Sequence, residues 1–223
     1  MNKYFITATD TDAGKTLVAT ALTAAFVTSN SKVAVFKPVS AGCELINEQL
    51  VNLDAKLLQG QANCDQSIAN INPIAFAEPI APHIAALSES TEISTEIIST
   101  HFNDVIKIKP DVIITEGAGG WRLPLGNGEF LSGFVQQQQM DVILVIGMKL
   151  GCLNHAILTY ESIVNDGVNV VGWIANHPVH MPYLEENIQL LESTIKAPLI
   201  GRLGFISDIE QAINSIDIKP LLG

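Results

Sequence analysis

The stretch TATDTDAGKT, residues 7–16, has the form of a phosphate-binding loop. It follows a short apolar run at residues 4–6 and precedes a long helical pattern. It ends in Gly14-Lys15-Thr16, the ending that such loops share, but Thr9 stands where the usual pattern, G-x-x-x-x-G-K-[ST], has its first glycine. The stretch therefore predicts a nucleotide site in a loop of unusual composition.

The end of this loop is suited to bind a nucleoside triphosphate. Backbone N–H groups at the start of a helix point outward, with the positive end of the helix dipole behind them. Lys15 is placed to reach the β- and γ-phosphates, and the hydroxyl of Thr16 is placed to bind Mg²⁺. The alternative is a strand-to-helix turn that contains this tripeptide by chance. The position after a strand, before a helix and near the start of the chain favours the nucleotide site.

The composition is typical of a globular α/β protein. The 223 residues predict one domain over residues 1–223, and 48% of them are apolar while 16% are charged. This balance suits a parallel sheet covered on both faces, because the strands of such a sheet are continuous apolar runs. The net charge of −11 disfavours nucleic acid and anionic lipid as partners. It still allows a local group of backbone amides to bind a small anion such as ATP.

No export or membrane segment is predicted. Cys43, Cys64 and Cys152 form no C-x-x-C pair, which argues against a disulfide framework or a zinc site. Polar residues interrupt any signal-peptide core after Met1. The longest strongly apolar run, residues 142–148, is much shorter than the roughly 20 residues that span a bilayer. We therefore expect a cytoplasmic protein that binds neither membrane nor nucleic acid.

Apolar strand-like runs alternate with helical patterns along the chain. This alternation predicts an α/β fold of the P-loop NTPase type, with an open, mostly parallel sheet and helices on both faces. The glycine-containing segment 118–134 is predicted to be a loop over the sheet edge. The predicted strands are residues 4–7, 33–36, 112–115, 142–146, 170–175 and 199–201, and the predicted helices are residues 16–28, 54–59, 153–165 and 183–195.

Polar residues follow three of these strands at their carboxyl ends: Lys37, Glu116 and Asn176. Ligands of open α/β sheets bind at this edge, so three polar groups beside one phosphate loop indicate a common site. Glu116 suits Mg²⁺, which takes oxygen ligands. Each residue also has a simpler interpretation, such as a surface lysine at Lys37 or a solvated loop acid at Glu116.

Longer strings connect these residues to one family. The most specific are EGAGGW at residues 116–121, KLGCLNHA at 149–156 and FAEPIAPH at 76–83. They occur with TDTDAGKT at 9–16, FKPVSAG at 36–42, NLDA at 52–55, LPL at 123–125 and GWIAN at 172–176. In this order they resemble the dethiobiotin synthetase family, ATP-dependent cyclases of biotin synthesis, over the chain up to about Gly204.

The resemblance implies a reaction. CO₂ adds to an amine of 7,8-diaminononanoate to give a carbamate, whose oxygen attacks the γ-phosphorus of Mg-ATP. The neighbouring amine then closes the mixed anhydride to the cyclic urea of dethiobiotin, and ADP and phosphate are released. In such phosphoryl transfer the protein mainly positions the reactants and neutralises charge.

The resemblance also implies roles for individual residues. The catalytic residues would be Lys37, which meets the carbamate and the γ-phosphate, and Lys15, which grips the phosphates. Mg²⁺ would be held by Thr16, Asp54 and Glu116. The residues implied to bind the nucleotide are Thr11, Asp12, Ala13, Gly14, Lys15, Thr16, Leu17, Asp54, Glu116, Gly117, Ala118, Gly119, Asn176, His177, Gly204 and Phe205, the last two by position only.

The implied substrate site has two halves. Thr11, Lys37, Ser40 and Ala41 would meet the reacting end of the diamine. Its carboxylate would be bound at the start of a helix, and the family takes that helix from a partner subunit, so a homodimer is implied. An ordinary helix cap at Asn154, a good residue type for it, is the alternative. The residues of this second half are Gly151, Cys152, Leu153 and Asn154.

Three positions depart from the family pattern. Ala8 replaces a glycine just before the loop, and His177 replaces the usual aspartate after Asn176. Ala41 replaces a serine that would bond substrate, so either Ser40 takes its place or the affinity for substrate falls.

Two other classes fit the sequence less well. A partitioning-type switch ATPase has a second lysine five positions before the loop lysine, where this chain has Asp10. A related amide-forming ligase of corrinoid synthesis would need a glutaminase domain, for which 223 residues leave no room.

Overall fold

Six parallel strands form the central sheet. The computed structural model describes residues 1–206 and 208–222. The strands are β1 (Asn2–Ala8), β2 (Val33–Phe36), β3 (Val39–Ser40), β4 (Glu44–Ile46), β5 (Gln49–Val51), β6 (Ile74–Ala75), β7 (Val112–Glu116), β8 (Pro124–Gly126), β9 (Glu129–Phe130), β10 (Asp141–Gly147), β11 (Val170–Asn176) and β12 (Leu199–Leu203). The large sheet has the order β12-β11-β10-β1-β7-β2 with every neighbouring pair parallel, which confirms the predicted fold class.

Helices cover both faces of this sheet. They are α1 (Lys15–Thr28), α2 (Leu53–Gln61), α3 (Ile68–Ile71), α4 (Pro82–Ser88), α5 (Thr95–Lys107), α6 (Leu131–Gln137), α7 (Cys152–Asn165), α8 (Leu184–Thr194) and α9 (Ile209–Asn214). Short 3-10 turns occupy Thr11–Ala13 and Lys219–Leu221. The four predicted helices are present, with ends that move by one or two residues. Among the described residues, no helix combines the length and the apolar content needed to span a bilayer.

Alternate residues of each central strand point to opposite faces of the sheet. In β1, Tyr4 and Ile6 join the apolar core beneath α1, whereas Phe5 joins the core on the other face. In β10, Leu144 and Val145 divide between the two cores in the same way. Because both faces are buried, these strands are apolar throughout, as a helix-covered parallel sheet requires.

The predicted loop over residues 118–134 is wrong in its second half. There β8 and β9 form an antiparallel hairpin, and α6 begins at Leu131. The helix forms because Leu131, Phe134 and Val135 share one face and pack into the core. Helix α5 was not among the predicted helices, although both its first residue and its helical spacing of apolar residues can be recognised in the sequence.

The pattern of α5 has a clear physical signature. The Ser94 side chain caps the helix by accepting a hydrogen bond from the Ile97 N–H. Ile98, Phe102 and Val105 then follow at helical spacing and are buried. Both signals could have identified the helix.

The edge of the sheet at β2 is closed by side-chain amides. Gln66 accepts a hydrogen bond from the Val35 N–H (2.9 Å) and donates one to the Val35 carbonyl (2.9 Å), as a neighbouring strand would. Asn63 accepts from the Val33 N–H at 2.7 Å. These bonds satisfy an edge that would otherwise present unpaired backbone groups.

We expect Gln66→Ala to lower the free energy of unfolding by about 1–3 kcal/mol, because the buried backbone groups of Val35 lose their partners. Urea unfolding followed by circular dichroism measures this loss. Gln49→Ala, on an exposed strand, is the matched control and should stay within about 0.5 kcal/mol of wild type. Equal stability of the two variants would contradict the role of Gln66.

Candidate active site

The loop after β1 is shaped by one carboxylate and one glycine. The Asp10 side chain accepts a hydrogen bond from the Thr11 N–H at 2.8 Å, which starts a 3-10 turn over Thr11–Ala13. Gly14 has φ +93° and ψ +26°, a left-handed conformation that L side chains rarely adopt. Helix α1 then begins at Lys15, so the free N–H groups of its first turn face the loop.

Asn176 supports this loop from the end of β11. Its Nδ2 donates to the Ala13 carbonyl at 2.9 Å, and a Cβ on Gly14 would lie 2.2 Å from the same nitrogen. The side chain is buried, and its Oδ1 has no hydrogen-bond partner among the described residues. Position 14 therefore requires glycine for two reasons: the backbone has a left-handed conformation, and a Cβ would clash with Asn176.

Lys15 is buried within the loop that it ends. Its ammonium donates to the carbonyls of Asp10 (3.1 Å) and Thr11 (3.2 Å), and 5% of the residue is exposed. Burial lowers its pKa to about 8, against the opposing influence of Glu116. Among the described residues no carboxylate forms an ion pair with Lys15, as expected of a group that binds phosphate.

Four elements bring their polar side chains to one point beside this loop. The Thr16 hydroxyl of α1 donates to Glu116 Oε1 at the end of β7 (2.8 Å). Lys37, directly after β2, places Nζ 2.9 Å from the same oxygen and 3.1 Å from Oδ2 of Asp54 on α2. The structure therefore brings Lys15, Thr16, Lys37 and Glu116 together with Asp54, which only the family resemblance had implied.

The ion pair of Lys37 and Glu116 is almost fully buried, with side-chain exposures of 4% and 1%. Burial alone would lower the pKa of Lys37. The charges and hydrogen bonds of Glu116 and Asp54 outweigh that effect, so its pKa is raised and the ammonium stays protonated.

The same oxygens fit a divalent cation. Glu116 Oε2 is buried and has no hydrogen-bond partner among the described residues, so it is available to bind a cation. Asp54 is partly exposed at 35%, and Thr16 adds a hydroxyl. Within the described ranges no cluster of three or more His, Cys, Asp or Glu side chains is arranged to hold a metal. The two carboxylates of Asp54 and Glu116 and the hydroxyl of Thr16 are nevertheless typical donors for Mg²⁺. This ion takes few protein ligands and completes its coordination shell with water and phosphate.

A cavity of about 490 Å³ opens over these residues. Predicted residues on its wall include Thr11, Ser40 and Ala41. Others there were not predicted, although Pro79–Pro82 lie in the quoted FAEPIAPH string and Asn52 caps α2. The complete wall is Thr11, Lys15, Thr16, Lys37, Ser40, Ala41, Asn52, Asp54, Pro79, Ile80, Ala81, Pro82, Glu116, Gly117, Ala118, Gly119 and Leu123.

The glycine-containing segment 117–119 forms part of the cavity wall, and hydrogen bonds fix the chain at its first residue and two residues after its last. The Gly117 N–H donates to the Ile6 carbonyl at 3.0 Å, and a Cβ at this position would lie 2.8 Å from the Phe5 ring. Beyond the segment, the Trp121 indole donates to Asp166 at 2.8 Å, just after α7. The loop can therefore approach a ligand through its backbone without losing its position.

The remaining predicted nucleotide residues do not line this cavity. Asp12, Ala13 and Gly14 form the loop itself, and Leu17 packs on the core beneath α1. His177 and Gly204 are adjacent at the ends of β11 and β12, where the His177 N–H donates to the Leu203 carbonyl at 2.7 Å. Phe205, next to them, is 83% exposed. By strand order this group lies on the opposite side of β1 from Lys37.

The start of α7 also lies outside the cavity of its own chain. Gly151 is the N-cap with φ +92°, Cys152 begins the helix, and no side chain caps it. The alternative of a cap at Asn154 is therefore wrong, because Asn154 is the third residue of the helix and is exposed. The Cys152 N–H donates to the Lys149 carbonyl at 2.9 Å. Within the described part of the chain no side chain caps the N–H groups that follow it, and these remain suited to an anion.

Proteins of known sequence resemble this chain along its length. A family model described as an AAA domain matches residues 2–212. The chain is 42% identical over 225 residues to an ATP-dependent dethiobiotin synthetase BioD of Aeromonas salmonicida, with 100% of both covered. It is 45% identical over 223 residues to the protein of the same name from Cellvibrio japonicus, with 98% of this chain and 97% of the other covered.

A solved structure shares the fold at much lower identity. The septum site-determining protein MinD of Pyrococcus horikoshii, complexed with Mg-ADP, superposes with a TM-score of 0.59 at 16% identity. The match covers 96% of this chain and 86% of that one. At this identity the likeness concerns the fold alone.

We expect ATP to bind about tenfold more weakly at pH 9 than at pH 7, because Lys15, whose pKa is about 8, loses its charge in between. The phosphates require the ammonium, so raising the pH through 8 removes the binding form. Titration calorimetry across this range measures the change. A Lys15→Met variant should bind weakly with no such dependence, and a flat wild-type profile would contradict the prediction.

Proposed function

The chain belongs to the ATP-dependent dethiobiotin synthetase family, and we propose that it makes dethiobiotin from 7,8-diaminononanoate, CO₂ and ATP. The observation that carries the proposal is the meeting of Lys37, Glu116 and Asp54 beside the loop of Lys15 and Thr16 in one cavity. We treat residues 1–223 as one catalytic domain. Free thiols at Cys43, Cys64 and Cys152 support a cytoplasmic location, since a reducing compartment keeps thiols unpaired.

The proposed reaction has three steps. An amine of the substrate adds to CO₂ and loses a proton, which gives a carbamate. A carbamate oxygen attacks the γ-phosphorus as the bond to ADP breaks. The second amine then attacks the carbamoyl carbon, phosphate leaves, and the ring closes with loss of a proton. The protein's contribution is to align these groups and to neutralise their charge.

Lys37 is suited to the carbamate. Its ammonium is buried and stays charged, because Glu116 and Asp54 stabilise it. On the cavity wall this charge would stabilise the carbamate anion against loss of CO₂, and then the charge of the transferring phosphoryl group. A lysine with a lowered pKa could not supply a permanent charge here.

The loop of Lys15 is suited to the triphosphate. Its backbone amides and ammonium would bind the phosphates, and Thr16, Asp54 and Glu116 would hold Mg²⁺. When bound, this ion would neutralise phosphate charge and favour departure of ADP. Asn176, His177, Gly204 and Phe205, near one another at the ends of β11 and β12, would form the base side of the nucleotide site.

The substrate carboxylate would be bound by a second copy of this chain. The start of α7, Gly151 to Asn154, lies outside its own chain's cavity and has no side-chain cap. Free N–H groups at a helix start suit a carboxylate. A homodimer with each cavity completed by its partner's α7 is therefore part of the proposal.

A switch ATPase is the alternative function. The fold is shared with MinD, but at 16% identity this likeness says nothing about activity. Asp10 stands at the position of the second switch lysine, and its carboxylate is bonded to Lys149 at 2.7 Å. The full-length relatives at 42% and 45% identity favour the synthetase.

The decisive experiment measures ADP release from protein, Mg²⁺ and ATP before and after addition of 7,8-diaminononanoate and bicarbonate. We expect release only with both additions, with dethiobiotin identified by mass spectrometry. A switch ATPase would hydrolyse ATP at the same rate with or without the diamine, and that outcome would rule out the synthetase.

Variants assign the roles of the two lysines in the same assay. Lys37→Ala should lower kcat by at least about 100-fold with little change in ATP binding, because its charge acts on the reacting groups. Lys15→Ala should weaken ATP binding and turnover together. Lys107→Ala removes an exposed lysine paired with Asp104 and is the control, with unchanged kinetics.

We expect two inactive variants to restore activity when they are mixed. Lys37→Ala disables a subunit's own cavity, and Asn154→Glu places a negative charge where the partner's α7 would meet the substrate carboxylate. When equal amounts of the two variants exchange subunits at random, half of the dimers contain one subunit of each kind. In such a hybrid dimer one of the two sites combines an intact Lys37 with an intact partner α7, so about a quarter of all sites are intact. Diamine-dependent ADP release after denaturation and joint refolding measures this. Each variant refolded alone is the control, and no recovery would exclude the shared site.

A further inference from the structure

A buried asparagine connects two residues of the cavity wall. Asn72 is 4% exposed, and its Nδ2 donates to the carbonyl of Lys37 at 2.8 Å while its Oδ1 accepts from the hydroxyl of Ser40 at 2.6 Å. It does not itself line the cavity. We propose that Asn72 is a positioning residue, which fixes the main chain of Lys37 and turns the Ser40 hydroxyl into a hydrogen-bond acceptor for the diamine. This inference rests on the proposed function.

The orientation of the Asn72 amide is set by its neighbours. Two carbonyls, those of Lys37 (2.8 Å) and Ile74 (3.4 Å), lie on its Nδ2 side. Carbonyl oxygens only accept hydrogen bonds, so the nitrogen must face them and the oxygen must face Ser40. The Ser40 proton is therefore committed to Asn72.

The first consequence concerns Lys37. Its N–H donates to the Ile71 carbonyl at 2.7 Å, and its own carbonyl is held by Asn72. Both backbone groups are thus fixed by adjacent residues of one segment. This clamp sets the direction in which the side chain leaves β2 toward Glu116 and Asp54.

The second consequence concerns Ser40. Because the Ser40 proton is donated to Asn72, the thiol of Cys43 is the donor in the 3.1 Å contact with Ser40. That contact uses one lone pair of the hydroxyl oxygen, and the second lone pair is left to accept a hydrogen bond from a ligand. Ser40 also lines the cavity, where Ala41 beside it has no polar side-chain atom. An acceptor at this point selects an N–H donor, which a diamine provides, over a carboxylate, which does not donate when ionised.

The test compares steady-state kinetics of Asn72→Ala, Ser40→Ala and Gln66→Ala in the diamine-dependent assay. Gln66 is the matched control, because it is another buried amide that bonds to the main chain of the same strand, at Val35. All three are assayed well below their measured melting temperatures. We expect Asn72→Ala to lower kcat about tenfold and to raise KM for the diamine severalfold, with KM for ATP unchanged.

Ser40→Ala should raise KM for the diamine with a smaller loss of kcat, and Gln66→Ala should lose stability while keeping wild-type kinetics. Asn72→Asp, assayed at a pH at which its carboxyl is ionised, keeps the acceptor for Ser40 but removes the donor to Lys37, so kcat should fall with KM for the diamine near wild type. This isosteric variant decides the case if Asn72→Ala does not fold.

Equal kinetic losses in Asn72→Ala and Gln66→Ala would overturn the proposal, because they would indicate a general loosening of β2. Wild-type kinetics in Asn72→Asp would also overturn it. Failure of the proposed function is a separate result, namely a wild-type protein that releases no ADP in response to the diamine.

Discussion

The buried ion pair between Lys37 and Glu116, with Asp54 as a second carboxylate, is the contact on which the site depends. Removal of two charges from water is costly, and their attraction offsets that cost only with good geometry and further hydrogen bonds. Thr16 supplies one such bond to Glu116 Oε1, while Oε2 has no partner among the described residues. Stability alone would favour apolar side chains here. The arrangement agrees with the proposed function, which requires both a fixed ammonium and a free carboxylate oxygen.

The parallel sheet makes this contact available. All six strands of the large sheet end at one edge, so the loop of Lys15 after β1, Lys37 after β2 and Glu116 after β7 emerge side by side. Helix α2 adds Asp54 from outside the sheet, from a position just after its cap at Asn52. The main chain of Lys37, directly after β2, is fixed in turn by the side-chain amide of Asn72. The charges are therefore held by the scaffold and not by one another alone.

The same scaffold serves proteins of different function. MinD of Pyrococcus horikoshii shares the fold at 16% identity, whereas the synthetase relatives share 42% and 45% of their sequence over nearly all of the chain. What separates the two classes in this chain is local. Asp10 stands where a partitioning-type switch ATPase would have its second lysine, and it pairs with Lys149. The additional positive charge near the loop is that of Lys37, which follows β2 and pairs with Glu116. Function in this fold therefore has to be argued from the site and not from the scaffold.

The sequence by itself determined the parallel α/β fold, the phosphate loop and the polar residues at the strand ends, because apolar runs, glycine and strand-end positions are local signals. It identified Asp54 only through the family resemblance. It did not identify Pro79–Pro82 as part of the cavity wall, Asn72 as a support of Lys37, or Gln66 as the partner of the β2 edge. These residues act through contacts with distant segments, such as Asn72 with Lys37 and Gln66 with Val35, and no local pattern encodes such partners. Only the tertiary structure decided that Lys37 and Thr16 both donate hydrogen bonds to Oε1 of Glu116. The reason is that this contact requires β1, β7 and β2 to lie side by side with α1 packed against them.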